Sequence, residues 1–180
     1  MKILWTKRAL LLTLLMCSLM VFAVGFSSAD RGKLTADLDG YQEVPSLSST
    51  GSGEFEARID DDAQTIEYKL TFENLEGNIT VSHIHFAQRG VSGPVMIDLC
   101  GGDKPACPPM STSGTVTGTI TPANVKVLAS QGIEAGNFAE AVRAIRAGVT
   151  YANVHTTVRP GGEIRGQIKN RSHGNDDDDD

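Results

Sequence analysis

Positive charge is scarce in this chain, as are cysteines and long apolar runs. Lysine and arginine number 16 against 22 acidic residues, for a formal net charge of -6. No basic stripe is present and the surface would repel phosphate, so nucleic acid is excluded as a partner. No internal repeat is visible, which sets aside solenoids and propellers. The one extended apolar run, Ala9 to Val24, is broken only by Thr13, Cys17 and Ser18. At about 16 residues it falls short of the roughly 20 that span a bilayer.

That run has the anatomy of a secretory signal peptide. Lys2, Lys7 and Arg8 supply the basic start, and Ser27-Ser28-Ala29 places small residues where a signal peptidase reads. Cleavage after Ala29 is expected, so residues 1–29, with Cys17, are discarded and no membrane span remains. The loss of three positive charges moves the net charge from -6 to -9. More than half of that excess lies in Asp176 to Asp180. Such a run repels itself and cannot form a core, so residues 171–180 read as a disordered acidic tail. The expected setting is secreted, periplasmic or cell-surface.

Cys100 and Cys107 are the cysteines left after processing. In an exported chain they read as a disulfide pinning a short loop, with a metal-thiolate pair as the rival. Residues 30–170 are the right length for one domain with one core.

Within that domain, short β-rich runs recur about every dozen residues between turn residues, the spacing of an all-β sandwich or barrel. The expected strands are Lys33–Asp39, Gly53–Ile59, Thr65–Glu73, Thr80–Phe86, Pro94–Leu99, Gly114–Thr121, Val149–Thr156 and Gly162–Lys169. In the third, Ile66, Tyr68 and Leu70 share a face. Asp60-Asp61-Asp62 before it reads as a turn. Thr121-Pro122 predicts a helical turn running to about Ala129. Asn137 then caps a helix in which Phe138, Val142 and Ile145 form an apolar stripe, ended by Gly148. Arg143 and Arg146 lie off that stripe and read as solvated. The expected fold is a Greek-key β-sandwich or barrel of about eight strands with a short helical crossover.

The candidate chemistry lies in His83-Ile84-His85 and His155. Alternation puts His83 and His85 on one face of a strand, some 6.5 to 7 Å apart along the chain. His155 shares a face with Tyr151 and Asn153. Three neutral imidazoles suit copper or zinc and leave a coordination position open. The pattern does not show that the two strands are neighbours, and histidines in strands are commonly just hydrogen-bonded residues.

Four motifs around these residues carry a resemblance: Asp39-Gly40-Tyr41-Gln42-Glu43-Val44-Pro45; His83-Ile84-His85 with Gly90 and Gly93; Tyr151-Ala152-Asn153-Val154-His155-Thr156; and Pro160-Gly161-Gly162-Glu163-Ile164-Arg165-Gly166-Gln167-Ile168. In that order they resemble the CHRD domain, the module named after chordin and also found in bacterial exported proteins. The resemblance covers about residues 33–169, with Ala152 where valine is usual and Cys100–Cys107 as an insertion. It implies the β fold and, from chordin-like proteins, extracellular protein binding. More distantly, His-Ile-His on a strand, a glycine-bearing loop and a late histidine are similar to the copper strands of copper/zinc superoxide dismutases. Here the fourth histidine, His173, lies in the tail, and no zinc-loop cluster of His and Asp is present.

Binding is therefore the expected function, of a metal ion (copper first, zinc second), a matrix component or a partner protein. The alternatives are a copper-dependent oxidoreductase of dismutase type and a metal-free structural or protein-interaction module. Pro160-Gly161 marks the turn into the last strand. With a two-residue loop His155 shares a face with Ile164; with a bulge it shares one with Glu163 and Arg165. In the bulged case Glu163 can orient an imidazole from outside the ligand shell, with Asn153 and Arg165 as further neighbours. Otherwise Glu163 and Arg165 form an ion pair of small worth.

Overall fold

Strict alternation builds one side of the molecule. In β3 (Thr65–Glu73) Ile66, Tyr68, Leu70 and Phe72 are buried while Glu67 and Lys69 face solvent. β2 (Ser52–Asp60) pairs with it in unbroken antiparallel register. β1 (Lys33–Asp39) continues the meander on the far side of β2. The computed structural model describes residues 32–170. The expected signal peptide and acidic tail lie outside the described residues.

The remaining strands are β4 (Ile79–Phe86), β5 (Val95–Cys100), β6 (Gly114–Ile120), β7 (Thr150–Thr156), β8 (Ile164–Gln167) and the short β9 (Lys169–Asn170), which pairs with β1. The order across the sheet is β5-β4-β7-β8-β1-β2-β3-β6, every ladder antiparallel. The sheet curls into a nearly closed barrel. Its edge strands β5 and β6 approach without pairing, and the Tyr68 hydroxyl of β3 crosses the interior to donate to the Leu99 carbonyl of β5 at 2.5 Å. Of the closed architectures the sequence allows, the barrel is the one found.

The last expected strand divides. Ile168 breaks β8 from β9 and is fully buried, its N–H bonded to the Thr150 carbonyl at 2.9 Å. The helical turn expected up to Ala129 is shorter, a 3-10 turn at Pro122–Asn124. Lys126 N–H then bonds the Met96 carbonyl and Leu128 bridges Ile133, which holds this stretch extended. A second 3-10 turn follows at Ala129–Gln131.

The crossover helix α1 (Phe138–Arg146) forms as its sequence dictates. The Asn137 side chain accepts from Glu140 N–H, Phe138, Val142 and Ile145 are buried, and Gly148 leaves the helix at φ 69°. Arg146 is not merely solvated, because its guanidinium forks onto Asp61 at 2.7 and 3.0 Å. Asp60 caps that same turn by accepting from Ala63 N–H.

β7 departs from alternation. All seven of its residues are buried, as are Ile164, Arg165 and Gly166 of β8. Val154 and Ala152 point into the barrel with Ile84. The opposite, outer face is covered by the loops that follow β1, β4 and β7, and under them lies the histidine cluster.

Candidate metal centre

The register of β4 on β7 assembles the cluster. His83 stands opposite Asn153, His85 opposite Tyr151, and Val81 opposite His155. Since side chains alternate, all of these project from the same outer face. The ring centroids of His83 lie 5.4 Å from His85 and 5.0 Å from His155, and those of His85 and His155 are 5.9 Å apart. One nitrogen from each ring can be chosen such that all three lie within 4.8 Å of one another.

Backbone carbonyls set the tautomers of two rings. His85 Nδ1 lies 2.9 Å from the Gly93 carbonyl and His155 Nδ1 lies 3.0 Å from the Pro160 carbonyl. A carbonyl only accepts, so each Nδ1 carries the hydrogen and each Nε2 carries a lone pair. His83 is turned the other way, with Nε2 3.5 Å from Asp98 Oδ1. The atoms left over are His83 Nδ1, His85 Nε2 and His155 Nε2, all buried and without a hydrogen-bond partner.

Burial keeps the imidazoles neutral. It pushes His83 down to about 4, helped by the neighbouring His155 and His85, and it pushes His85 down to about 4 against the opposing bond to Gly93. His155 is lowered as well, again by burial first. Near neutral pH the cluster therefore offers three lone pairs and no charge. A divalent transition metal fits this donor set, since imidazole nitrogen suits copper and zinc. Tetrahedral bonds of that kind place ligand nitrogens about 3.4 Å apart.

The surrounding residues hold this arrangement. Tyr151 stacks on His85 at 4.8 Å, and its hydroxyl accepts from Gly93 N–H at 3.2 Å. Any Cβ at Gly93 would overlap the Phe86 carbonyl, so glycine is required for this approach. Arg165 is only 2% exposed; its guanidinium carbon lies 3.4 Å from the centre of the Tyr151 ring, and the group donates to the Val91 carbonyl at 2.7 Å. Asn153 Nδ2 donates to Glu43 Oε1 at 2.6 Å and to the Ile164 carbonyl at 2.8 Å. Glu43 belongs to the loop after β1; burial raises its carboxyl above the usual range, against the bond from Asn153.

The turn into β8 takes the bulged register, with Asn153 opposite Arg165 and Val154 opposite Ile164. Glu163 nevertheless orients no imidazole, and it does not pair with Arg165. It precedes the first residue of β8, so strand alternation does not fix its side chain. Three donors capture its carboxylate: Ser49 Oγ at 2.8 Å, Glu76 N–H at 2.6 Å and Thr156 Oγ1 at 2.7 Å. The hydrogen bonds to the rings come from the Pro160 and Gly93 carbonyls, and the carboxylate beside His83 is Asp98, which sequence reasoning missed. A lone carboxylate inside the apolar run Val95-Met96-Ile97-Asp98-Leu99 was the available signal. Cys100 and Cys107 form a disulfide at the end of β5.

The fold and the cluster together define a class: an antiparallel β-barrel with a largely covered three-imidazole group on the outer face of two neighbouring strands. Within it, the chain belongs to the CHRD domain family, whose model matches residues 34–168. No curated protein and no solved structure matches the chain at a significant level.

Proposed function

We propose that this protein is an exported metal-binding module in which His83, His85 and His155 hold one transition metal ion, copper(II) first and zinc second. The carrying observation is three neighbouring imidazoles, each with a buried nitrogen that has no partner, and with one nitrogen of each ring within 4.8 Å of the others. An unpaired buried acceptor costs free energy, and a shared cation satisfies three at once. Copper follows from the order of divalent affinities for nitrogen sites. Bound there, copper would supply a one-electron couple and zinc a Lewis acid. The chain's own residues orient the rings by the Gly93 and Pro160 carbonyls and shelter them beneath three loops.

Export rests on the basic and apolar anatomy of residues 1–29 and fits the disulfide. Among the described residues no helix is long and apolar enough to cross a membrane. A second reading is an extracellular protein-binding module. Tyr41 (70% exposed), Val44, Val91 and Val158 favour it, since they lie on the loops that frame the histidines.

Metal analysis of protein exported by its native host, followed by copper titration, tests the first reading. Stoichiometric metal is expected, with binding lost in the His83→Ala, His155→Ala double variant and kept in His173→Ala. Equal affinity in the double variant and wild type would return the histidines to ordinary strand residues.

A further inference from the structure

His83 differs from the other two histidines in having no backbone carbonyl on either ring nitrogen. What stands at its Nε2 is the Asp98 carboxylate, directly across the β4–β5 ladder. We infer that Asp98 is the positioning residue for His83, fixing Nδ1 as the atom offered to the metal, and that the loop clipped by Cys100–Cys107 holds Asp98 in place. This rests on the metal-binding reading and adds a carboxylate and a disulfide to it.

Two register shifts in the β4–β5 ladder, between Ser82 and His83 and between Ile84 and His85, bring Asp98 opposite His83. The carboxylate is 4% exposed and its two oxygens have separate tasks. Oδ2 accepts from Asp103 N–H at 2.8 Å and from Lys126 Nζ at 3.0 Å. Oδ1 is left for His83 Nε2 at 3.5 Å. A carboxylate 3.5 Å from Nε2 favours the hydrogen on that nitrogen and the lone pair on Nδ1, which is the buried unpartnered atom of this ring.

The loop that supplies Asp103 is short and closed on itself. Cys100, opposite Ser82, is bonded to Cys107, with Gly101 N–H on the Pro105 carbonyl and Lys104 N–H on the Gly101 carbonyl. Gly102, at φ 57°, passes so close over Asp98 that a Cβ would overlap the carboxylate. Lys126 also pairs with Asp103 at 2.5 Å, which joins the loop to the carboxylate a second time. Opening the disulfide releases the chain that carries the Asp103 amide, and with it one of the two bonds that hold Oδ2.

The test uses the mature exported protein, stripped of metal. Affinities for copper(II) and zinc are measured by chelator competition, and the copper complex is recorded by electron paramagnetic resonance. Asp98→Ala should weaken copper and zinc about 10- to 100-fold, the range for loss of a carboxylate behind a metal-bound histidine, and should change the copper hyperfine pattern. Asp98→Asn, which keeps an acceptor for the ring, should recover most of the affinity and the wild-type spectrum. Lys126→Met removes one of the two bonds to Oδ2 but leaves the carboxylate beside His83, and should weaken binding clearly less than Asp98→Ala. The Cys100→Ser, Cys107→Ser variant should weaken binding in the same direction as Asp98→Ala and add little to it when combined.

Wild-type affinity and spectrum in Asp98→Ala, with binding lost in His83→Ala, overturn the inference and leave the metal site standing. Equal losses in Asp98→Ala and Lys126→Met reduce it to general loosening and overturn it too. If Asp98→Ala does not fold, the serine pair decides, and unchanged binding there is fatal. A wild-type protein that binds neither metal takes down both readings.

Discussion

The rings of His83 and His155 lie 5.0 Å apart on antiparallel neighbours, because Asn153 is the residue opposite His83 and Val81 the one opposite His155. The pair is diagonal, within the reach of ring side chains on one sheet face. His85 closes the triangle from the next outward position of β4. Three aromatic nitrogens are thus forced together by sheet register, and the consequences are measurable.

Acid should destabilise the metal-free protein well above the range where carboxylates titrate. His83 and His85 sit at about 4 when folded against 6.5 unfolded, so on lowering pH the unfolded state takes up protons first. Their stabilising effect is complete above about 6.5 and is lost on descent toward about 4. The slope is at most about 1.4 kcal/mol per pH unit for each ring. Glu43, raised by burial, acts with the opposite sign, so the comparison must be with a His83→Gln, His85→Gln variant. Urea unfolding of stripped protein at about pH 7 and about pH 5 should show a larger drop in wild type. Parallel drops would mean that the two rings are not held neutral.

The disulfide should be present in native exported protein and worth about 2 to 3 kcal/mol, given the short loop it closes. Unreduced mass spectrometry should give a chain two hydrogens lighter than the reduced form, starting at or near Asp30. Two alkylatable thiols in native material would contradict it.

Local alternation made most of the barrel legible: Ile66, Tyr68 and Leu70 face one way in sequence and in space. The helix was legible for the same reason, with Asn137 as its cap and Gly148 as its stop. The same-face pair His83 and His85 could be read too, but not the partner strand, because β4 and β7 are joined by tertiary pairing alone. Asp98 was hidden by register shifts in β5, which no periodicity reveals. The direction of Glu163 was hidden because it stands just outside a strand, where three distant donors decide. The overlong helical turn after Pro122 shows tertiary bonds at Lys126 and Leu128 overriding a local start signal.

Ile84 and Val154 mark the inward face of the same two strands, 1% and 0% exposed. Truncating Ile84 to Ala should cost about 2 to 5 kcal/mol and Val154 to Ala somewhat less, through lost burial and a residual cavity. A soluble double variant with unchanged stability would reverse the assigned faces.

Glu163→Ala should separate stability from metal binding. Its loss orphans the Glu76 N–H and two hydroxyls, at about 1 to 3 kcal/mol for each group that water cannot reach. Metal affinity of the folded variant should remain at the wild-type level, since the carboxylate touches no imidazole. A large fall in copper affinity with little loss of stability would restore Glu163 as an orienting group.

Arg165→Lys should cost both stability and affinity, although charge is conserved. The guanidinium carbon sits over the Tyr151 ring at 3.4 Å and the group bonds the Val91 carbonyl, two contacts that suit a delocalised cation with a fork of donors. A lysine ammonium can make one of them at a time and is more strongly hydrated, which matters at a site 2% exposed. Losing either the stack or the buried bond amounts to about 1 to 2 kcal/mol. The effect on metal passes through the loop after β4: Val91 and Gly93 belong to it, Gly93 N–H bonds the Tyr151 hydroxyl, and the Gly93 carbonyl orients His85. With Val91 unpinned, that carbonyl is less well held and His85 Nε2 is presented less consistently. Copper affinity should fall several-fold, less than on replacing His85 itself. Denaturant titration and chelator competition on the same preparation read the two effects. A lysine variant equal to wild type in both would show that Arg165 serves only as a buried charge.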